Sequence, residues 1–185
     1  MSSRACSFSK NVVNIFQRVQ FAMEKFNFPS FIFKPFQIHC LENILLRDVV
    51  AMLPTGYGKS LIYQILPAFL DIKSTRNFVI VICPLNSIIE DQINVLKKWG
   101  INAGVLKEVQ EDDSSRLFSN GSPSKTVDEE EQFANQDVKA GNIDVLFTHP
   151  EALLSSHGRK LFRSNCFQEN VVSLIIDEAH CVVTW

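Results

Sequence analysis

Between Pro54 and Ser60 the chain reads PTGYGKS, which places two glycines, a lysine and a serine in one short turn. Gly56 and Gly58 allow the backbone to fold tightly enough for successive N–H groups to converge on one anion. The apolar run DVVAML (48–53) before the turn suits a strand. SLIYQIL after it suits a helix, whose N-terminus adds partial positive charge at the same spot. Lys59 can reach the terminal phosphates of a nucleotide, and Ser60 can ligate magnesium. A glycine pair by itself would fit an ordinary strand–helix connection. Lys59 and Ser60 tip the reading to a phosphate site.

Hydrolysis of a bound phosphate ester needs an acidic partner, and VVSLIIDEAHCVVTW (171–185) offers one. An apolar strand there ends in Asp177 and Glu178. Taken alone, the pair is a strand stopping in a charged turn. Both the phosphate loop and the acidic pair, however, follow apolar strands, and doubly wound sheets bind ligands at strand C-termini. There Asp177 can hold magnesium and Glu178 can polarise the attacking water. The two motifs together point to a nucleoside triphosphatase.

Such motifs must be held by regular elements, and the pattern provides them. Apolar residues recur at helical spacing from Asn11 to Phe26, and Pro35 opens a second helix reaching to about Arg47. Strand-like runs then fall at 48–53, 77–83, 101–106, 143–148 and 171–177, alternating with helical stretches at 59–70, 86–99, 128–140 and 151–162. This alternation predicts an α/β fold, a parallel sheet with helices on both faces. The first ten residues are small and polar and are expected to be flexible, leaving 11–185 as one domain. Residues 109–132 are acidic and rich in Ser, Gly and Pro, which suits a solvated surface loop, with a regulatory or partner-binding role as the alternative. Seven phenylalanines lie between Phe16 and Phe36. Their setting favours packing over base stacking.

Bulk properties narrow the classes. The 185 residues are 46% hydrophobic and carry a net charge of −2, so any contact with nucleic acid must use a local groove rather than a global positive field. Five cysteines without a CxxC pair suit reduced thiols and no zinc site. No apolar run approaches the roughly 20 residues of a membrane span.

The order of motifs resembles the RecQ DNA helicases of superfamily 2, of Werner and Bloom type. FKPFQ (33–37) is similar to the motif upstream of the phosphate loop in that family, LPTGYGKS to motif I, VICPLNSIIEDQ (81–92) to motif Ia, VLFTHPEALL (145–154) to the Pro-Glu motif, and DEAHCVVTW to motif II with the start of an aromatic-rich loop. The resemblance covers roughly Val19 to Trp185. It implies the first RecA-like motor lobe of a P-loop ATPase, incomplete at its C-terminus, within a 3′-to-5′ helicase of DNA repair and recombination. It further implies ATP over Pro54, Thr55, Gly56, Tyr57, Gly58, Lys59 and Ser60, with the adenine against Gln37 and Lys34. Magnesium would lie between Ser60 and Asp177, with Glu178, Lys59 and Asp177 catalytic. Single-stranded or forked DNA would lie along Pro84, Leu85, Ser87, Pro150, Glu151 and Trp185, and the location would be nuclear.

Departures accompany the resemblance. Leu53 stands where phosphate loops usually start with a small residue, Pro29 where glycine is usual, and His149 where threonine is common. His180, alone, suits a hydrogen-bonded core residue; the resemblance implies coupling to a later motif. The second lobe, which the resemblance names as partner and source of a catalytic arginine, is absent from the sequence. A fragment that binds a nucleotide or a partner without turnover is therefore the alternative, and little hydrolysis or unwinding is expected of this chain alone. A phosphate-loop kinase fits less well, because it explains neither Gln37 nor the DEAH tetrad.

Overall fold

The computed structural model describes residues 15–29, 32–70, 77–106 and 142–180. The FVIVI run becomes β1 (Phe78–Ile82), buried along its whole length. A strand apolar on both faces needs partners on both edges and cover on both faces, and β1 has them. It pairs in parallel with β3 (Val145–Thr148) on one side and β4 (Val171–Ile176) on the other, and β2 (Ala103–Leu106) pairs in parallel with β3. The sheet order is β2-β3-β1-β4.

Alternation along the strands divides the core in two. Val79, Val81, Val145 and Phe147 face a large cluster built with α1 (15–25), α2 (Pro35–Ile44), α3 (Lys59–Phe69) and α4 (Asn86–Lys98). Phe78, Ile80 and Leu146 face a smaller one with Leu161 of α6 (Ser156–Phe162) and Phe167 of α7 (Asn165–Asn170). The expected parallel sheet with helices on both faces is the observed architecture. Among the aromatics, Phe26 and Phe33 are buried and Phe28 packs on Trp99, whereas Phe16, Phe21 and Phe36 are exposed.

Three expectations need correction. The 48–53 run is not a strand: it pairs with none among the described residues, and Val50 and Met52 are 88% and 91% exposed. An apolar run makes a segment able to pair, but a strand also needs a neighbour. Here a cleft of about 1610 Å³ is lined by both 48–54 and β4. The 151–162 helix is two helices, α5 (Pro150–Leu154) and α6, parted at Ser155, which is extended (ψ 165°) and whose side chain caps α6 by accepting from the Gly158 N–H. Finally, α2 ends at Ile44, short of Arg47. The expected N-terminal tail, the acidic loop, the 128–140 helix and Trp185 lie outside the described residues.

Candidate nucleotide site

The phosphate loop is built as its glycines require. Gly56 and Gly58 take φ of 74° and 90°, in the left-handed region that β-carbons disfavour, and Gly58 caps α3. A Cβ on Gly56 would meet nothing, so backbone conformation alone calls for glycine there. A Cβ on Gly58 would also lie 2.7 Å from the Gln37 side-chain nitrogen.

That contact shows where Gln37 sits. It is 2% exposed, and its Nε2 donates to the backbone oxygens of Tyr57 (3.1 Å) and Gly58 (3.0 Å). Its Oε1 accepts from the Lys34 N–H at 2.8 Å, the return half of a capping box at the start of α2. The amide therefore ties α2 to the underside of the loop. Lys34 reaches back over the other side, its Nζ 4.6 Å from the Tyr57 ring centroid. Pro54, Thr55 and Gly56 are exposed, so the mouth of the loop is open.

The acidic pair arrives from β4. The ladder continues one residue beyond the strand, with the Asp177 N–H donating to Ile82 O at 2.9 Å. Lys59, Asp177 and Glu178 line the same cleft, and Lys59 is near enough to draw the Asp177 pKa down. Burial outweighs that pull: the carboxyl stands above its ordinary value, chiefly from desolvation and also from Glu178, while the Glu178 N–H, Lys59 and Tyr63 oppose the rise. Glu178 has φ 51°, an unusual value for a residue with a side chain, and its Oε2 lies 3.2 Å from His180 Nδ1. His180 is mostly exposed, so the expected core position is not found; its partner is Glu178.

Two residues passed over in the sequence belong to this site. The Tyr63 hydroxyl donates to Asp177 Oδ2 at 3.5 Å, and burial together with Asp177 holds its pKa far above the ordinary phenol range. Cys83, buried at the end of β1, has its thiol raised by desolvation, with Asp177 and Glu178 contributing. The sequence places Tyr63 four residues after Lys59, on the same helical face, but carries no sign of its meeting with Asp177.

The residues expected to meet nucleic acid fall at two neighbouring strand ends, Pro84 and Leu85 between β1 and α4, Ser87 in the first turn of α4, and Pro150 and Glu151 in the first turn of α5. Leu85 and Ser87 are exposed and Pro84 is half-buried after β1, while Glu151 is exposed and Pro150 is buried after β3. Pro150 is thus available only through its surroundings, because its fixed φ starts α5 and its ring packs inward.

A parallel sheet with a glycine-shaped loop capping a helix, and a carboxylate facing the loop lysine from a strand end, define a phosphate-loop nucleoside triphosphatase domain. The sequence profile of the DEAD/DEAH box helicase family matches residues 34–185, and the chain belongs to that family. It is 32% identical over 164 residues to the ATP-dependent helicase SGS1 of Saccharomyces cerevisiae, covering 88% of this chain and 10% of that protein. It is 32% identical over 160 residues to the ATP-dependent DNA helicase Q1 of Mus musculus (83% and 21%). With the probable ATP-dependent DNA helicase RecS of Bacillus subtilis the identity is 34% over 161 residues (86% and 27%). The chain thus spans about a tenth to a quarter of the length of these relatives. No helix among the described residues is long and apolar enough to cross a membrane.

Proposed function

We propose that this chain is the ATP-binding part of the first motor lobe of a RecQ-like 3′-to-5′ DNA helicase, acting in the nucleus on single-stranded or forked DNA. The observation that carries the reading is the approach of Lys59 and Asp177 to one cleft beside an open, glycine-shaped loop. Lys59 binds the terminal phosphates, and the loop N–H groups and the start of α3 orient them. Ser60 and Asp177 would hold magnesium. One hydroxyl and one carboxylate suit a cation that keeps several waters and phosphate oxygens, and a carboxyl raised by burial gains by facing a positive charge. When bound, the ion neutralises charge developing on the phosphates. Glu178 positions and polarises water. Lys34 and Gln37 lie on the adenine side of the loop, with Gln37 acting through the loop backbone that it holds. Leu85, Ser87 and Glu151 lie along the DNA strand.

The experiment is a titration of this chain with a fluorescent ATP analogue, with and without magnesium. Binding is expected to strengthen with magnesium, to weaken at least tenfold in Lys59→Ala, and to be displaced by ATP more readily than by GTP. Equal binding by wild type and Lys59→Ala rules out the loop as the phosphate site. Equal displacement by ATP and GTP removes Gln37 and Lys34 from the base.

A further inference from the structure

The ladder between β1 and β3 continues to a last backbone bond, from the Cys83 N–H to Thr148 O at 3.0 Å. Beyond it the two strands part, one leading into α4 and the other into α5. Across the gap, His149 Nε2 lies 2.6 Å from Asn86 Oδ1. An amide oxygen only accepts, so the shared proton belongs to Nε2. Each junction is separately anchored. His149 O accepts from the Leu153 N–H and from Thr148 Oγ1, both at 3.1 Å, and Leu85 O accepts from the Ile89 N–H at 3.2 Å. The imidazole is thus a strut between two strand–helix junctions that are each held on their own side.

The position of the strut matters more than its strength. Asn86 lies between Leu85 and Ser87, and His149 immediately precedes Pro150 and Glu151. A partly exposed hydrogen bond contributes little to global stability because water competes for it. It can still set how two neighbouring junctions sit relative to each other. A threonine at 149, the residue the family resemblance favours, carries its hydroxyl one atom beyond Cβ and reaches less far than an imidazole Nε2.

We infer that His149, acting through Asn86, is a positioning residue that locks 84–87 and 149–151 into one surface for the backbone of a single nucleic-acid strand. This rests on the reading of those junctions as nucleic-acid contacts given above. Neither residue need touch the strand.

The test compares the full chain with His149→Ala, Asn86→Ala, the double variant and His149→Gln, whose amide can donate in place of Nε2. Amide hydrogen exchange across 85–89 and 149–153 reads the lock, and fluorescence anisotropy with a labelled oligothymidylate at low salt reads the surface. Each alanine variant is expected to speed exchange in the opposite junction. Each should also weaken oligonucleotide binding about three- to tenfold, the worth of one hydrogen bond. The double variant should be no weaker than either single one, and His149→Gln should restore both readouts, with the melting temperature nearly unchanged throughout. Additive losses, or alanine variants that bind like wild type, overturn the inference. Unchanged exchange beside weakened binding also overturns it, because the two residues would then act by touching the strand and not as a strut. A wild-type chain that binds no oligonucleotide refutes the nucleic-acid reading, and the inference falls with it.

Discussion

Replacing Gln37 by alanine should loosen the phosphate loop before it alters any choice of base. The side chain makes three hydrogen bonds, to Tyr57 O, Gly58 O and the Lys34 N–H, and is 2% exposed. The reverse amide orientation would set Oε1 against two carbonyl oxygens and the amine against an N–H, so the network itself fixes which atom points where. Each bond contributes about 0.5–1.5 kcal/mol net, and the groups left behind are only partly rehydrated beneath the loop. The expected loss is therefore about 2–4 kcal/mol. At about 2–4 °C per kcal/mol for a chain of this size, the melting temperature should fall by roughly 5–15 °C. Because the loop holds phosphate whatever the base, affinity for ATP and GTP should fall together, with a smaller loss of preference for ATP. Thermal unfolding and parallel titrations with the two nucleotides read both quantities. An unchanged melting temperature with selective loss of ATP binding would refute the reasoning, since it would mean that the amide leaves the loop to read adenine.

Asp177→Asn should stabilise the nucleotide-free chain at neutral pH while removing the magnesium dependence of nucleotide binding. The folded pKa of Asp177 lies above its ordinary 3.8, so the folded state keeps its proton where the unfolded state has lost it. The stability it contributes is then complete below about that ordinary value and is lost as pH rises through the shifted one. Asparagine removes this decline and can still accept from the Glu178 N–H; a variant less stable than wild type at pH 7 counts against it. Leu174→Lys with Ile176→Lys addresses the other exposed feature. These side chains are 52% and 44% exposed on a terminal strand, a setting that invites association. Light scattering on warming should fall while stability shifts by about 1 kcal/mol or less. A large drop in melting temperature would show that this face is covered.

Local chemistry was legible from the residues. The two glycines, Lys59 and Ser60 announced a phosphate loop because the required backbone conformations and donors are written in residue type, and the φ values of Gly56 and Gly58 follow from that. The uninterrupted apolar run of β1 foretold a strand covered on both faces, because only such a strand hides every side chain. Apolar spacing likewise marked α4, where Ile89 and Leu96 are buried two turns apart, whereas α3 is buried without a break from Ile62 to Phe69. What the tertiary structure alone decided depends on partners distant in the chain. Val49 to Leu53 form an uninterrupted apolar run that suits a strand, yet the segment pairs with none among the described residues, because pairing is a property of two segments and a cleft lies between this one and β4. The sequence offers Gln37 as a capping residue or a reader of bases; that its amide also holds the loop, 20 residues away, came only from the tertiary structure. The meeting of Tyr63 with Asp177, 114 residues later, and of Asn86 with His149, 63 residues later, left no trace in local pattern, because side chains so far apart are brought together by the order of strands in the sheet.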